Sequence, residues 1–194
     1  MWHQSVTLEG RFIILTPLAL EHAPAMLEHF EAEMVQYLSN APREPTLKSM
    51  QDYIHSLLSA PDRVNWAILD KASGKMAGRT GYVRVNPEYR SLETSTWIFT
   101  PFQRGYANAE SKYLLIRRAF EQLGAIRVQF RADARNSRSR KAIEKLGASF
   151  EGILRKDQIY PNGLIRNTAV YSIIDDEWPA VKSGLQARLY TTGG

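Results

Sequence analysis

Thr96-Trp97-Ile98-Phe99-Thr100-Pro101-Phe102-Gln103-Arg104-Gly105-Tyr106-Ala107-Asn108-Ala109-Glu110-Ser111-Lys112 decides how the rest of the chain is arranged. Thr94 to Phe99 is β-branched and aromatic, which predicts a strand that Pro101 ends. From Ala107 onward, Leu115, Ala119 and Leu123 recur at helical spacing beside Leu114 and Phe120. A strand therefore passes into a helix through a short turn. Gly105 lets the backbone approach a ligand there, and the unpaired N–H groups of the helix start, beside Arg104, attract anionic oxygens. The same residues also fit a purely structural turn. They match neither the three-glycine dinucleotide fingerprint nor a Walker A loop, which ends in Gly-Lys-Ser/Thr.

Outward from that turn, the sequence predicts a mixed sheet. On the N-terminal side, Val6–Leu8 and Arg11–Leu15 read as a bent strand pair around Gly10, with the run Phe12-Ile13-Ile14-Leu15 expected to be buried partly on both faces. Leu20 to Leu38 carries apolar residues at steps of three and four, which predicts one helix bent near Pro24. A loop over 40–45 leads to a second helix, Thr46 to Ala60, capped by Thr46, with Met50, Tyr53, Ile54, Leu57 and Leu58 inward. Asn65–Leu69, Met76–Val85 and Leu92–Phe99 form an antiparallel meander on short turns. On the C-terminal side, Arg127–Ala132 follows a helix and so lies parallel to the Leu92 strand. A helix from Asn136 to Leu146 stops at Gly147. Ser149–Arg155 and Arg166–Ile174 make a hairpin around Tyr160–Gly163, and a helix over Asp176–Leu189 precedes a frayed end. The fold class is α/β in the α+β sense: a mostly antiparallel sheet with one central parallel pair, flanked by helices.

At 194 residues the chain suits one domain, 1–194. Its formal charge of +5 suits an anionic ligand without requiring one, and the absence of Cys excludes disulfides, thiolate metal sites and a cysteine nucleophile. No stretch reaches membrane-spanning length and no leader pattern opens the chain, so a cytoplasmic location is expected. His22, His29 and His55 lack metal-ligand spacing, and no metal is expected. The basic run Arg135 to Lys141 has no interleaved aromatics, which argues against specific nucleic-acid binding.

The order of elements resembles that of the GCN5-related N-acetyltransferases, and among them the RimJ/RimL type. Gly105-Tyr106-Ala107 and the sequence Asn136-Ser137-Arg138-Ser139 followed by Glu144-Lys145-Leu146-Gly147-Ala148 carry the likeness, with Arg11–Leu18 and Glu177-Trp178-Pro179 at the two ends. The resemblance implies acetyl-CoA as co-substrate and a primary amine, either a protein N-terminus or a small molecule, as acceptor; a homodimer is compatible with it. It places the pyrophosphate on the turn Gln103, Arg104, Gly105, Tyr106, Ala107 and Asn108, and the pantetheine arm along Trp97-Ile98-Phe99. Phe102 departs from the family's Gln or Arg three residues before the first Gly.

Asn136 matches a pantetheine-holding position and is equally a natural N-cap. Arg138 and Ser139 would lie near the cofactor tail; Arg135, Arg138, Arg140 and Lys141 could meet the 3′-phosphate or form a solvated face. Glu93 is the implied general base, with a surface strand-start Glu as the alternative, and Glu110 is second choice, although a first-turn Glu is favoured by the helix dipole anyway. The family's general-acid Tyr position is Ile143 here, leaving Ser139, Tyr106, Tyr160 or an unaided thiolate to take that part. Trp66, Tyr82 and Trp97 could shape an acceptor pocket or belong to the core. The competing function is a catalytically weak acyl-CoA-binding or RNA-docking protein of the same fold.

Overall fold

The computed structural model describes residues 1–35, 41–42, 44–160 and 162–190. One eight-stranded sheet carries the fold. Its strands are β1 (Leu8–Glu9), β2 (Ile13–Pro17), β3 (Val64–Asp70), β4 (Met76–Asn86), β5 (Ser91–Ile98), β6 (Arg127–Asp133), β7 (Ser149–Ile159) and β8 (Ile165–Ile174), in the spatial order β1-β2-β3-β4-β5-β6-β8-β7. Every neighbouring pair is antiparallel except β5 with β6, which is parallel as the intervening helix requires. The last strand in sequence is an interior one, because β8 pairs with β6 on one side and β7 on the other.

The helices are α1 (Ala23–Glu28), α2 (Ala32–Val35), α3 (Leu47–Ser59), α4 (Tyr106–Glu121), α5 (Ser137–Glu144) and α6 (Trp178–Tyr190). The helix expected over Leu20–Leu38 is broken up in its described part into a 3₁₀ turn at Leu20–His22, α1 and α2. Pro24 causes no bend. It lies in the first turn of α1, where a missing N–H costs no hydrogen bond. Positions 36–38 of that expected helix, residues 40 and 43 of the expected loop, Pro161 and the expected frayed end from 191 lie outside the described residues. α3 begins as expected, with Thr46 Oγ1 accepting from the Ser49 N–H at 3.1 Å, but Leu58 turns outward and is 48% exposed. The run Phe12–Leu15 alternates: Ile13 and Leu15 are fully buried, while Phe12 and Ile14 are half-buried.

Two apolar layers follow from the alternation of side chains along the strands. The larger lies between the sheet and α4, α5 and α6, and includes Trp66, Tyr82, Leu115, Phe130 and Trp178. The smaller lies on the opposite face under α1 and α3, with Met26, Met50, Tyr53, Trp97 and Phe99. Trp66 and Tyr82 therefore belong to the core. Trp66 Nε1 donates to Val6 O at 2.8 Å and Tyr82 Oη donates to Leu115 O at 2.6 Å, so both polar ends are satisfied inside it.

Candidate active site

The parallel ladder between β5 and β6 is only three residues long: Ser91 with Arg127, Leu92 with Val128 and Glu93 with Gln129. Past Glu93 the two strands part. β5 continues to Ile98 paired with β4 alone, and β6 continues to Asp133 paired with β8 alone. A fork therefore opens in the middle of the sheet, and one edge of β5 from Thr94 to Ile98 has no strand partner among the described residues.

The turn after β5 stands at the mouth of that fork. Thr100–Phe102 forms a 3₁₀ turn, Arg104 takes a left-handed conformation with φ 65°, and Gly105 is the N-cap of α4 with no side-chain cap. The first N–H groups of α4 are thus left to a ligand or to solvent. They border a hollow of about 140 Å³ lined by Phe102, Gln103, Gly105, Tyr106 and Ala107. Gln103 spans the mouth: its Nε2 donates to Ile98 O at 3.1 Å, and its Oε1 accepts from the guanidinium of Arg138 at the start of α5. Asn136 caps α5, with Oδ1 accepting from the Ser139 N–H at 2.9 Å. The turn, Gln103, Arg138, Asn136 and Ser139 are therefore brought together across the fork. Ala107 is buried in the main core, and the Asn108 carbonyl accepts from Ser111 Oγ at 3.0 Å.

Trp97 and Phe99 turn their side chains toward α3 and α1, into the smaller core, and the Phe99 N–H donates to Ala77 O at 2.9 Å. Trp97 Nε1 is buried there without a hydrogen-bond partner among the described residues. Ile98 is turned the other way, into the main core.

Glu93, the last residue of β5 paired with β6, is largely buried, its side chain 13% exposed. Burial pushes its proton affinity up, against the opposing pull of Arg84, Arg131, Arg166 and Lys112. Oε2 has no hydrogen-bond partner among the described residues and lies 3.7 Å from Arg84 Nε. Beside it Arg84, Gln129 and Arg131 line an open cavity of about 560 Å³ on the sheet face away from α4. Arg127 and Arg131 in that cavity are held by Glu151 and Asp157, each at 2.5 Å. Glu93 is the carboxylate at the fork with an unused oxygen, which a base requires. Lys112, Arg84 and Arg131 around it were not foreseen as site residues. Lys112 was detectable, since it falls three and seven residues before Leu115 and Ala119, on the buried stripe of its helix.

Glu110, the second choice as base, has a different task. Fully buried, its carboxylate accepts from the N–H groups of Arg11, Phe12 and Ile13 at 2.8, 2.8 and 2.9 Å and from Tyr190 Oη at 3.0 Å. Ile143 is buried in the main core. Tyr106 and Tyr160 are both committed: Tyr106 Oη donates to Asp70 Oδ1 at 2.5 Å, a bond that raises its pKa, and Tyr160 Oη donates to Asp133 Oδ2 at 3.1 Å, with burial pushing its pKa up to about 12.

Solved structures of acetyltransferases share this fold. A "putative acetyltransferase" from T. thermophilus is 48% identical, with a TM-score of 0.93 over 98% of this chain and 100% of its own. A GCN5-related N-acetyltransferase from Brucella melitensis is 30% identical, with a TM-score of 0.89 over 96% of this chain and 86% of its own. The chain belongs to the GNAT acetyltransferase family, whose "Acetyltransferase (GNAT) domain" matches residues 13–149. A curated relative, the "Putative ribosomal N-acetyltransferase YdaF" of Bacillus subtilis (strain 168), is 32% identical over 110 residues, which are 56% of this chain and 59% of that protein. Among the described residues no helix is long and apolar enough to cross a membrane.

Proposed function

We propose that the chain transfers the acetyl group of acetyl-CoA to a primary amine by direct attack, with the donor bound in the fork between β5 and β6. The observation that carries this reading is the conjunction of the fork with the uncapped start of α4 at its mouth. The residues there fit the donor. The α4 N–H groups and the hollow at Gly105 suit a pyrophosphate, with Arg104 and Arg138 to supply positive charge. The unpaired edge of β5 from Thr94 to Ile98 offers the peptide groups that the amides of a pantetheine arm would pair with. Asn136 keeps its side-chain NH₂ available while its oxygen caps α5. Bound there, acetyl-CoA supplies an activated thioester carbonyl.

The chain's own residues do the rest. Glu93 takes the proton of the incoming ammonium, directly or through one water, and its raised proton affinity makes it a better acceptor of that proton than an ordinary carboxylate. The backbone N–H of Ile98, on the edge of β5 that has no strand partner, would stabilise developing negative charge on an oxygen, since that of Phe99 already donates to Ala77 O at 2.9 Å. The acceptor enters from the face bearing the open cavity beside Glu93. That cavity is wide enough for the end of a polypeptide, and together with the ribosomal assignment of the Bacillus subtilis relative it favours a protein N-terminus as acceptor.

The test is the thermal midpoint with and without acetyl-CoA. A ligand at about a hundred times its dissociation constant adds roughly 2.7 kcal/mol, a rise of about 5–10 °C in a chain of this size. A rise with acetyl-CoA and none with ATP or NAD, followed by thiol release on adding N-terminal peptides, is the expected result. No rise at millimolar acetyl-CoA overturns the reading, and a rise without turnover on any amine leaves an acyl-CoA-binding protein.

A further inference from the structure

Lys112 is the titratable group at the fork for which no role has yet been found. It projects from α4 toward the point where β5 and β6 part: its Nζ donates to Thr94 Oγ1 at 2.8 Å and lies 5.6 Å from the centre of the Phe130 ring. Thr94 and Phe130 are the first residues beyond the last parallel pair, Glu93 with Gln129. The ammonium is thus held in the crotch of the fork, 7% exposed, with no carboxylate within ion-pair distance among the described residues. A lysine ammonium has three protons to donate, and the hydroxyl of Thr94 is its one hydrogen-bond partner among the described residues. A structural buried lysine is ordinarily paired with an acid, because an uncompensated charge in the core is costly. This one faces the gap instead.

The charged groups that bear on it are few. Glu93 on β5 favours its charged form, and Arg79 on β4 opposes it. Burial is the largest influence and brings the amine down to about 7, where both protonation states are populated at neutral pH. Arg79 is itself buried, with Nη1 donating to Ser95 Oγ at 3.1 Å. No tyrosine competes for the part, since Ile143 is in the core and the hydroxyls of Tyr106 and Tyr160 are committed to aspartates.

We propose that Lys112 is the general acid of the reaction, its Nζ giving a proton to the sulfur that leaves when the acetyl group is transferred. This rests on the reading that acetyl-CoA lies in the fork. The balance is simple. An acceptor that arrives as an ammonium first loses one proton through Glu93 to solvent. The free amine then attacks, the C–N bond forms, the C–S bond breaks, the nitrogen's surplus proton goes to Glu93, and the sulfur takes one from Lys112. The proton on Glu93 then restores the ammonium of Lys112 through solvent, and no other reactant is needed. Glu93 and Lys112 thus serve the two ends of one proton circuit, separated by the strand along which the donor lies.

The experiment compares wild type, Lys112→Met and Lys112→Arg. Methionine keeps the length and removes the charge. Arginine keeps the charge and, near neutral pH, has no proton to give up. Both variants are first checked for an undiminished thermal rise with acetyl-CoA. Separately, the free wild-type protein carrying ¹³C at lysine Cε is titrated by NMR, with the Lys112 signal assigned by its loss in Lys112→Met. The expected result is a Lys112 signal that titrates near neutral pH and a wild-type kcat that falls on the alkaline side with the same midpoint. Both variants should then be slower by about 10²-fold or more, with that alkaline fall gone. Lys112→Arg turning over like wild type would reduce the residue to a charge that tunes Glu93 and overturn the proposal. A Lys112 signal that titrates only near pH 10 would overturn it as well. A wild type that gains no stability from acetyl-CoA sinks the reading of the fork and this proposal together, whereas a full gain with an active Lys112→Arg sinks the proposal alone.

Discussion

Around β5 lie a carboxylate that holds its proton too tightly and an amine that holds its own too loosely. Glu93→Gln is expected to lower turnover by about 10²–10⁴-fold, to leave the thermal rise with acetyl-CoA intact, and to abolish an acid limb that in the wild type lies above the ordinary carboxylate range; a pH profile of kcat/KM, run beside the melting curves, checks all three. Lys112 should also be visible in stability. Its folded pKa is depressed from 10.5 to about 7, so an unfolded chain binds the extra proton more tightly between those values. The cost to folding is present in full below about pH 7 and fades as pH rises toward 10.5. Lys112→Met is therefore expected to raise the thermal midpoint more at pH 6 than at pH 9, by about 2–4 °C for each kcal/mol recovered. A pH-independent difference would mean that the charge is not what the core pays for. Glu93 could be nominated from the sequence because its position matches a family pattern. The environment that sets its proton affinity could not, because Arg84, Arg131 and Lys112 come from three other elements.

At the scale of elements, two buried or capping side chains invite separation of structure from function. Asn136→Ala is expected to lose about 1 kcal/mol with the α5 cap, whereas Asn136→Asp keeps the acceptor oxygen and removes only the NH₂. If that NH₂ holds the donor, both variants bind acetyl-CoA more weakly by calorimetry while only the alanine variant loses stability. Equal affinity in all three would make Asn136 a cap and nothing more. Glu110→Ala is expected to cost about 3 kcal/mol in urea unfolding, since it leaves three backbone donors without their acceptor, that of Ile13 in the interior. Most elements were legible from local pattern: alternation for the strands, Thr46 and Asn136 for helix starts; α5, however, ends at Glu144 with Lys145 as its C-cap, short of the stop expected at Gly147. The piece between Leu20 and Val35 was not legible. Its apolar spacing continues across a break in the backbone, and spacing alone does not report whether hydrogen bonds are continuous. The task of Glu110 was hidden for a related reason: in sequence it reads as an acid near a helix start, which the helix dipole would explain in any context, and that masks the three amides it meets about a hundred residues away.

In the whole molecule, the parallel pairing of β5 and β6 was predictable from the helix between them, but the fork was not. Its opening depends on β6 turning to β8 and β5 staying with β4, a competition among long-range partners that no local sequence encodes. With Arg104 and Arg138 at its mouth, acetyl-CoA affinity is expected to fall as salt rises from about 0.05 to 0.5 M, over which the Debye length drops several-fold; calorimetry at several salt concentrations checks it, and a flat response would leave binding to the backbone amides alone.

The carboxylate of Glu110 also sets an order of events. It belongs to the second turn of the helix whose first turn forms the hollow at Gly105, and it is gripped from one side by residues 11–13 and from the other by Tyr190. A ribosome delivers residues 11–13 before the acid and the tyrosine about 80 residues after it. The sheet can begin to assemble while the chain is still growing, but the last fastening of the helix that frames the turn must wait for α6. The hollow at Gly105 is thus not fully framed until α6 has been made.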